Sequence, residues 1–184
     1  MVSRMAVVTA EEFARIPDDD ARYELVAGTI VRMSPVGAMH GMVAVRLGRS
    51  LDQYVADHRL GVVLAETGFK LATRPDTVRA PDLAFLRRDR LPLDGLPSTF
   101  WNGPPDLAVE VQSPGDTRAA LRGKAAEYLS CGVRLVWVVD PSARLVTVFA
   151  PGIAAVVRRD DEAITGADVV PGFSCRVAEL FTRP

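Results

Sequence analysis

Apolar positions in two segments recur every three or four residues, which predicts two amphipathic helices. The first runs from about residue 40 to residue 58 and ends before Gly61. The second opens at residues 113–116 and ends before Gly132. A capping box formed by Thr9 and Glu12 predicts a further short helix that extends to about Ile16. The apolar stripe of the first long helix is Val43, Leu47, Leu51, Tyr54 and Val55, and that of the second is Leu121, Ala125, Tyr128 and Leu129.

Short apolar runs bounded by turn residues predict the β-strands. Residues 23–26 and 29–33 flank Ala27-Gly28 and predict an N-terminal β-hairpin. Residues 134–139 and 144–149 flank a second turn and predict another hairpin. The other predicted strands are residues 62–65, 69–72, 82–86 and 107–112, with an edge strand at residues 154–158 and a short closing helix at residues 173–181.

The order of strand, helix and strand over residues 107–139 predicts a crossover unit whose sheet is buried on both faces. We therefore expect an α/β fold, in which α-helices flank a central mixed β-sheet. A chain of 184 residues fits one domain over residues 1–184, since domains hold about 100 to 200 residues. The loop at residues 87–105 is long, which favours a functional or mobile segment.

Composition narrows the classes of function. A hydrophobic content of 48% supports a sizeable core, and a formal net charge of -1 gives no global attraction to nucleic acid. Cys131 and Cys175 form no CxxC pair, which argues against a zinc site or a disulfide framework. No apolar run approaches the roughly 20 residues that span a membrane, so we expect a soluble cytoplasmic protein. The candidates for a local basic patch are Arg87, Arg88, Arg90, Arg118 and Arg122.

Two acids lie in predicted strands that are otherwise apolar. Asp82 begins one of these strands, and Glu110 lies inside another. A carboxylate removed from water is costly unless it is paired, hydrogen-bonded or bound to a cation, so a shared divalent metal ion is the simplest explanation. Residues two apart on a strand share a face, and we therefore expect Glu110 to project together with Ala108 and Gln112.

Lys124 lies on the second predicted long helix, three residues after Leu121 and four before Tyr128, at the edge of the apolar stripe. Its ammonium group could orient an attacking water or stabilise charge on a phosphate. Mg²⁺ held by one or two carboxylates keeps positions open for a substrate phosphate, and it can lower the pKa of a bound water. Asp82, Glu110 and Lys124 therefore predict a phosphodiesterase site that uses Mg²⁺, with Mn²⁺ as an alternative.

Several sequence motifs spread over the chain support the same interpretation of the site. The motifs are YELVAG (23–28), PDLAF (81–85), VEVQSP (109–114), Lys124 with EYL (127–129), and GVRLVWVVDP (132–141). Together they resemble the Uma2 family, and the resemblance extends from Thr9 to Phe181. It implies the restriction-endonuclease-like core of the PD-(D/E)XK nuclease superfamily, an Mg²⁺-dependent nuclease site and frequently a homodimer.

The resemblance also implies roles for individual residues. Asp82 and Glu110 match metal ligands, and Lys124 matches the catalytic lysine that the helix supplies. Glu24 matches a further acid of the family, which makes it a third candidate metal ligand. Gln112 departs from the superfamily pattern, because it stands where the lysine of the E-x-K form is expected. Its amide can hydrogen-bond a catalytic water but supplies no positive charge, so the mechanism requires Lys124.

Each candidate also has a purely structural interpretation. Asp82 can cap a turn, and Glu24 can be a surface acid of the hairpin. Glu110 and Lys124 can form a structural ion pair. Lys124 can instead extend along the edge of the core to reach water. His40, near the start of the first long helix, can cap that helix or contact a phosphate, although a lone histidine is more often structural.

Two main hypotheses for the function remain. The first is a metal-dependent endonuclease that hydrolyses nucleic acid, with DNA favoured over RNA. The second is a catalytically weak or inactive nuclease-fold module that serves binding or assembly, which the near-neutral charge and Gln112 favour. Hydrolysis of a smaller phosphate ester is a third, minor possibility. For a homodimer, we expect exposed apolar residues of the second hairpin, such as Val146 and Val148, to form a suitable surface.

Overall fold

The computed structural model describes residues 7–16 and 21–182 of the chain. The helices are α1 (Ala10–Phe13), α2 (Ala38–Asp57), α3 (Arg118–Ser130) and α4 (Val177–Leu180). The strands are β1 (Tyr23–Val26), β2 (Thr29–Arg32), β3 (Gly61–Ala65), β4 (Phe69–Ala72), β5 (Thr77–Arg79), β6 (Leu83–Arg87), β7 (Trp101–Asn102), β8 (Leu107–Val111), β9 (Leu135–Asp140), β10 (Leu145–Phe149), β11 (Val156–Arg159), β12 (Ala163–Thr165) and β13 (Ser174–Arg176).

The larger sheet holds six strands in the order β11-β10-β9-β8-β6-β3. β8 and β9 run parallel, whereas the other neighbouring strands run antiparallel. Parallel neighbours need a crossover connection, and α3 provides it between β8 and β9. The predicted mixed sheet with its crossover unit is therefore confirmed.

Helices pack on both faces of this sheet. The side chains of β8 alternate between the two faces, since successive residues of a strand point in opposite directions. Leu107, Val109 and Val111 pack in one core cluster with Val43, Leu47 and Leu51 of α2. Ala108 packs in another cluster with Leu121, Ala125 and Tyr128 of α3. β8 is thus buried on both sides, and its α3 face is the one that carries Glu110.

The second sheet holds five strands in the order β2-β1-β5-β4-β7 and contains the predicted N-terminal hairpin. At its turn Ala27 has φ 47° and Gly28 has φ 75°, the left-handed pair that two-residue hairpin turns favour. β1 also pairs with β5 through Leu25 and Val78. This pairing places Glu24 of β1 close to Arg79, the last residue of β5.

The two long helices differ from the prediction at one end each. α2 ends at Asp57, and Arg59 adopts the left-handed conformation that closes it, with φ 53°. Gly61 instead opens β3, where a side chain would collide with the backbone of Leu86. α3 begins later than predicted because Thr117 is its N-cap, accepting a hydrogen bond from the backbone N–H of Ala120 at 3.1 Å.

Other differences concern short strands and the second hairpin. β5, β7 and β12 were not among the predicted strands, because strands of two or three residues carry too little periodicity. The predicted closing helix at residues 173–181 was partly wrong, since Ser174–Arg176 form β13 and only Val177–Leu180 are helical. Asp82 lies directly before β6 rather than inside it. The expectation of an exposed apolar hairpin was wrong, since Val146 is buried and Val148 packs against the core. β10 is an interior strand between β9 and β11, and this side of it faces the α2 cluster. Within residues 7–16 and 21–182, no helix is long and apolar enough to cross a membrane.

Candidate active site

Asp82 and Glu110 are brought together by the pairing of β6 with β8. The two strands are antiparallel, and their register pairs Leu83 with Val109. Asp82 precedes Leu83 and Glu110 follows Val109, so the two acids stand side by side. Asp82 is 8% exposed and Glu110 is 6% exposed. Two adjacent carboxylates with so little access to water require compensating donors or cations, and each of them has such partners.

Asp82 is held by a backbone N–H and by His40, and a guanidinium nitrogen of Arg22 lies 4.0 Å from its Oδ1 atom. The backbone N–H of Val111 donates to its Oδ2 atom at 2.7 Å. The Nε2 atom of His40 lies 3.1 Å from its Oδ1 atom, and the Nδ1 atom of His40 lies 3.1 Å from the hydroxyl of Ser113. Although burial lowers the pKa of His40, its contact with Asp82 raises that pKa overall. The hydrogen bonds that link Ser113, His40 and Asp82 therefore fix the orientation of the carboxylate.

Glu110 is held by two side chains of α3. The ammonium group of Lys124 lies 2.9 Å from Oε1 and 3.0 Å from Oε2 of Glu110. The hydroxyl of Tyr128, which is fully buried, donates to Oε1 at 2.7 Å. Burial, assisted by the charge of Asp82, raises the pKa of Glu110 to about 7 despite the opposing charge of Lys124. Glu110 can therefore gain or lose a proton near neutral pH.

Lys124 points into the cluster and not into solvent. Its side chain is 13% exposed, and its ammonium group also lies 3.0 Å from Oε1 of Glu24. Burial lowers the pKa of Lys124, but the charges of Glu110 and Glu24 outweigh burial and raise it. The lysine is therefore a fixed positive charge that bridges two carboxylates from different sheets.

Glu24 is the most strongly neutralised acid of the cluster. Its Oε1 atom accepts the backbone N–H of Ala80 at 3.0 Å, and its Oε2 atom accepts from Arg79 at 2.8 Å. Burial raises the pKa of Glu24, but the charges of Lys124 and Arg79 lower it overall. Arg79 also pairs with Glu127 of α3. Both oxygens of Glu24 are thus engaged by protein donors.

Gln112 lies at the edge of this cluster. It continues from β8, and its backbone N–H donates to the carbonyl of Val139 at 2.8 Å. Its side-chain amide donates to the carbonyl of Asp116 at 3.3 Å. Within the described residues, that amide makes no hydrogen bond to Asp82, Glu110 or Lys124. The structure therefore places Gln112 near the site but outside its network of carboxylates.

Three of the cluster residues were missed or underrated in the sequence analysis. His40 was expected to cap its helix, to contact a phosphate or to be structural, and its contact with Asp82 was not predicted. It stands three residues before Val43 on the buried stripe of α2, which is a signal for burial. Tyr128 was assigned to the apolar stripe of α3, and the periodicity carries no information about its hydroxyl. Arg79 ends a strand too short to be predicted. The basic candidates Arg87 and Arg90 are already paired, with Asp89 and Asp106.

The donors of the cluster fit a hard divalent cation. Asp82 and Glu110 offer carboxylate oxygens, which Mg²⁺ prefers. Within residues 7–16 and 21–182, no group of three or more His, Cys, Asp or Glu side chains could hold a metal ion. Mg²⁺ does not need such a group, because one or two carboxylates commonly bind it together with waters and substrate phosphates. Burial and like charge disfavour the ionised form of Glu110, and a cation bound to both acids would relieve this cost.

Comparisons with known proteins agree with the observed fold. A family model described as "Uma2: Putative restriction endonuclease" matches residues 10–178. A crystal structure described as "a putative nuclease belonging to DUF820 from Anabaena variabilis ATCC 29413" is similar with a TM-score of 0.84 and 19% sequence identity, covering 95% of this chain and 97% of that chain. At this identity the structural match shows the fold, and it confirms the predicted nuclease-like α/β architecture. No curated protein matches the chain.

Proposed function

The chain belongs to the Uma2 family, and from this premise we propose that it is a metal-dependent endonuclease that hydrolyses phosphodiester bonds of nucleic acid. The observation that carries the proposal is the position of Lys124, whose ammonium group lies 2.9 Å from Glu110 and 3.0 Å from Glu24. Lys124 is thus fixed against Glu110, which stands next to Asp82, and a lysine together with two buried acids is a set of groups that metal-assisted phosphodiester hydrolysis can use. DNA is the first expected substrate, and RNA is the alternative.

Asp82 and Glu110 are the residues that would hold the metal ion, with Mg²⁺ expected and Mn²⁺ able to replace it. When bound, such an ion polarises a phosphoryl oxygen and makes a bound water more acidic. Val111 and His40 keep Asp82 in place, since they donate to its two oxygens. Tyr128 and Lys124 do the same for Glu110. The protein thus orients both acids before any ligand arrives, which limits the reorganisation that catalysis requires.

Lys124 supplies the positive charge that Gln112 lacks. Its ammonium group can orient the attacking water or stabilise the charge that develops on the phosphate. The water oxygen loses a proton and forms the new bond to phosphorus, while the bond from phosphorus to the leaving sugar oxygen breaks and that oxygen takes up a proton to become a hydroxyl. Glu24 is the third candidate metal ligand, but two cationic side chains, Arg79 and Lys124, already neutralise it and lower its pKa, whereas the pKa of Glu110 is raised. We therefore assign Glu24 the role of positioning Lys124.

Cleavage assays with substituted proteins test this proposal. Asp82→Asn, Glu110→Gln and Lys124→Met should each lower the rate of cleavage of plasmid DNA in Mg²⁺ or Mn²⁺ by about 100-fold or more. Arg49→Ala is the matched control, because Arg49 is an exposed arginine on α2, across the sheet from α3. Absence of cleavage of both DNA and RNA by the unsubstituted protein with either metal would contradict the proposal.

A nuclease-fold binding or assembly module is the second candidate. The observation that favours it is Gln112, because the position that supplies a lysine in the E-x-K form carries an amide here. Calorimetry separates the two candidates, since binding of Mg²⁺ without any turnover would favour the module. Hydrolysis of a small phosphodiester, without cleavage of nucleic acid, would favour the minor third possibility.

Domain organisation, location and oligomeric state complete the proposal. Residues 1–184 are proposed to act as one nuclease-fold domain located in the cytoplasm. A homodimer is also proposed, and the outer face of α2 offers it an apolar surface through Met39, 52% exposed, and Val45, 70% exposed. Sedimentation of the Val45→Asp variant tests this part, because a dimer through α2 should dissociate.

A further inference from the structure

A row of side chains crosses the larger sheet and begins at Glu110. The strand registers pair Glu110 with Val138, Val138 with Thr147, and Thr147 with Val157. Directly paired residues of neighbouring strands point to the same face, so this row forms a continuous floor on the α3 side of the sheet. Three steps between strands, each about 4.8 Å, give the row a length of about 14 Å. The floor therefore leads from the proposed active site to the edge of the sheet.

α3 covers only the first part of this floor, and a groove remains beside the helix. The groove has a volume of about 190 Å³, and Val138, Thr147 and Val157 contribute to its base. Gln112 lines the end that is nearest to the active site. Phe149 lines the groove as well and is half-buried, so part of its ring faces the open space. The groove is therefore an open, partly apolar continuation of the catalytic cluster.

The walls of the groove are basic. Arg118 and Arg122 come from α3, and Arg159 comes from the edge strand β11. All three are exposed, and Asp140 is the one acid among the described residues that line the groove. Asp140 pairs with Arg118 at 3.1 Å. Within the described residues, the side chains of Arg122 and Arg159 have no carboxylate within 4.0 Å, which leaves two guanidinium groups available to an external anion.

We infer that this groove binds a single-stranded segment of nucleic acid and leads it to the catalytic cluster. This inference rests on the proposed function for the class of its ligand. Arginine side chains bind phosphates strongly, and an aromatic ring in a basic groove provides a surface on which a base can stack. The open part of the floor, from Val138 to Val157, is two strand steps or about 10 Å long, which suits a short stretch of a single strand. A base can stack on Phe149 only when it is unpaired, which favours a single strand over a duplex.

Equilibrium binding in EDTA tests the inference without cleavage. The probes are fluorescently labelled single strands of about 12 nucleotides, as DNA and as RNA, and a DNA duplex of the same length. The Arg122→Ala/Arg159→Ala protein should bind single strands about tenfold more weakly or worse, and the slope of log K against log salt should become shallower by about 1.4. Arg49→Ala removes one exposed arginine on the other side of the sheet and should bind as the unsubstituted protein does.

Substitutions of Val157 give a second, independent test on the floor of the groove. Val157 is 42% exposed on the edge strand, so the fold should tolerate a polar side chain there. Val157→Lys should tighten the binding of single strands, and Val157→Asp should weaken it. Unchanged affinity in both Val157 variants and in the double arginine variant would overturn the inference, as would tighter binding of the duplex than of single strands. Loss of a dimer in Val157→Asp with unchanged affinity would also overturn it, because a second copy would then cover the floor.

The outcomes separate this inference from the proposed nuclease function. Binding that responds to the arginine and Val157 substitutions, in a protein that cleaves nothing, would support the groove and contradict the nuclease. Cleavage of single strands with an unchanged kcat/KM in Arg122→Ala/Arg159→Ala would support the nuclease and overturn the groove.

Discussion

Replacement of Lys124 by Met probes the ion pairs at the centre of the cluster. Met keeps the length and the apolar stem of the side chain, so the change removes mainly the ammonium group that lies 2.9 Å from Glu110 and 3.0 Å from Glu24. Removal of one partner from a buried ion pair costs about 3–5 kcal/mol. Glu24 retains Arg79 and Ala80, and Glu110 can take up a proton because its pKa is already raised to about 7. We therefore expect a loss near the lower limit, about 3 kcal/mol, in the free energy of unfolding.

The cost of Lys124→Met in unfolding free energy should depend on pH. The pKa of Glu110 is higher in the folded protein than its ordinary value of 4.5, so the folded state binds this proton more tightly than the unfolded state. The contribution of Glu110 to stability is therefore fully present below about pH 4.5 and is lost as the pH rises through about 7. Without Lys124 the folded pKa must rise further, because an opposing positive charge is gone. The cost of Lys124→Met should consequently be larger at pH 8 than at pH 5.

Urea unfolding of the metal-free protein at both pH values measures this cost. Lys70→Met is the matched control, because the side chain of Lys70 is also 13% exposed and lies 3.2 Å from both Asp76 and Glu11. Its loss should matter less, since Glu11 is largely exposed and Asp76 keeps its hydrogen bonds from backbone N–H groups. A cost below about 1 kcal/mol for Lys124→Met, or an equal cost at pH 5 and pH 8, would refute the reasoning.

Three further predictions concern single contacts. Tyr128→Phe removes the hydroxyl that donates to Glu110 at 2.7 Å, and it should lower the unfolding free energy by about 1.5–3 kcal/mol in urea melts. The first backbone N–H of α1 donates to Asp76 and holds its pKa below the ordinary value, so Asp76 contributes stability above pH 3.8 that is lost as the pH falls. Asp76→Asn should weaken this contribution, which acid titration followed by circular dichroism checks. His40→Ala should weaken Mg²⁺ binding by about 10–100-fold in calorimetry, whereas His40→Gln should retain part of it, because the side chain orients Asp82.

The faces on which Glu110 and Lys124 lie could be predicted because they depend on periodicity. Alternation along β8 placed Glu110 on the face opposite Leu107 and Val109, and this face is the one observed. Helical spacing placed Lys124 at the edge of the buried stripe of α3, which is where its side chain can reach Glu110. Such patterns indicate which face of a helix or strand a residue occupies. They therefore predict contacts between elements that are adjacent in sequence, such as β8 and α3.

The partners of these residues could not be predicted, because they come from distant segments. Glu24 reaches Lys124 only because β1 pairs with β5 in the second sheet, and the three residues of β5 show no periodicity. The hydrophobic pattern of α3 records the apolar ring of Tyr128 but carries no information about its hydroxyl. Val146 illustrates a different failure, since alternation along β10 identifies two faces but does not say which face packs against the core.

The most direct test of the central claim is an anomalous difference map from crystals soaked in Mn²⁺. The account predicts one strong peak with carboxylate oxygens of both Asp82 and Glu110 at bonding distance, about 2.0–2.3 Å, and with the Lys124 ammonium group in the same cluster. A map from fully soaked crystals with no peak at these two acids, or with a peak bound only elsewhere, would contradict the account.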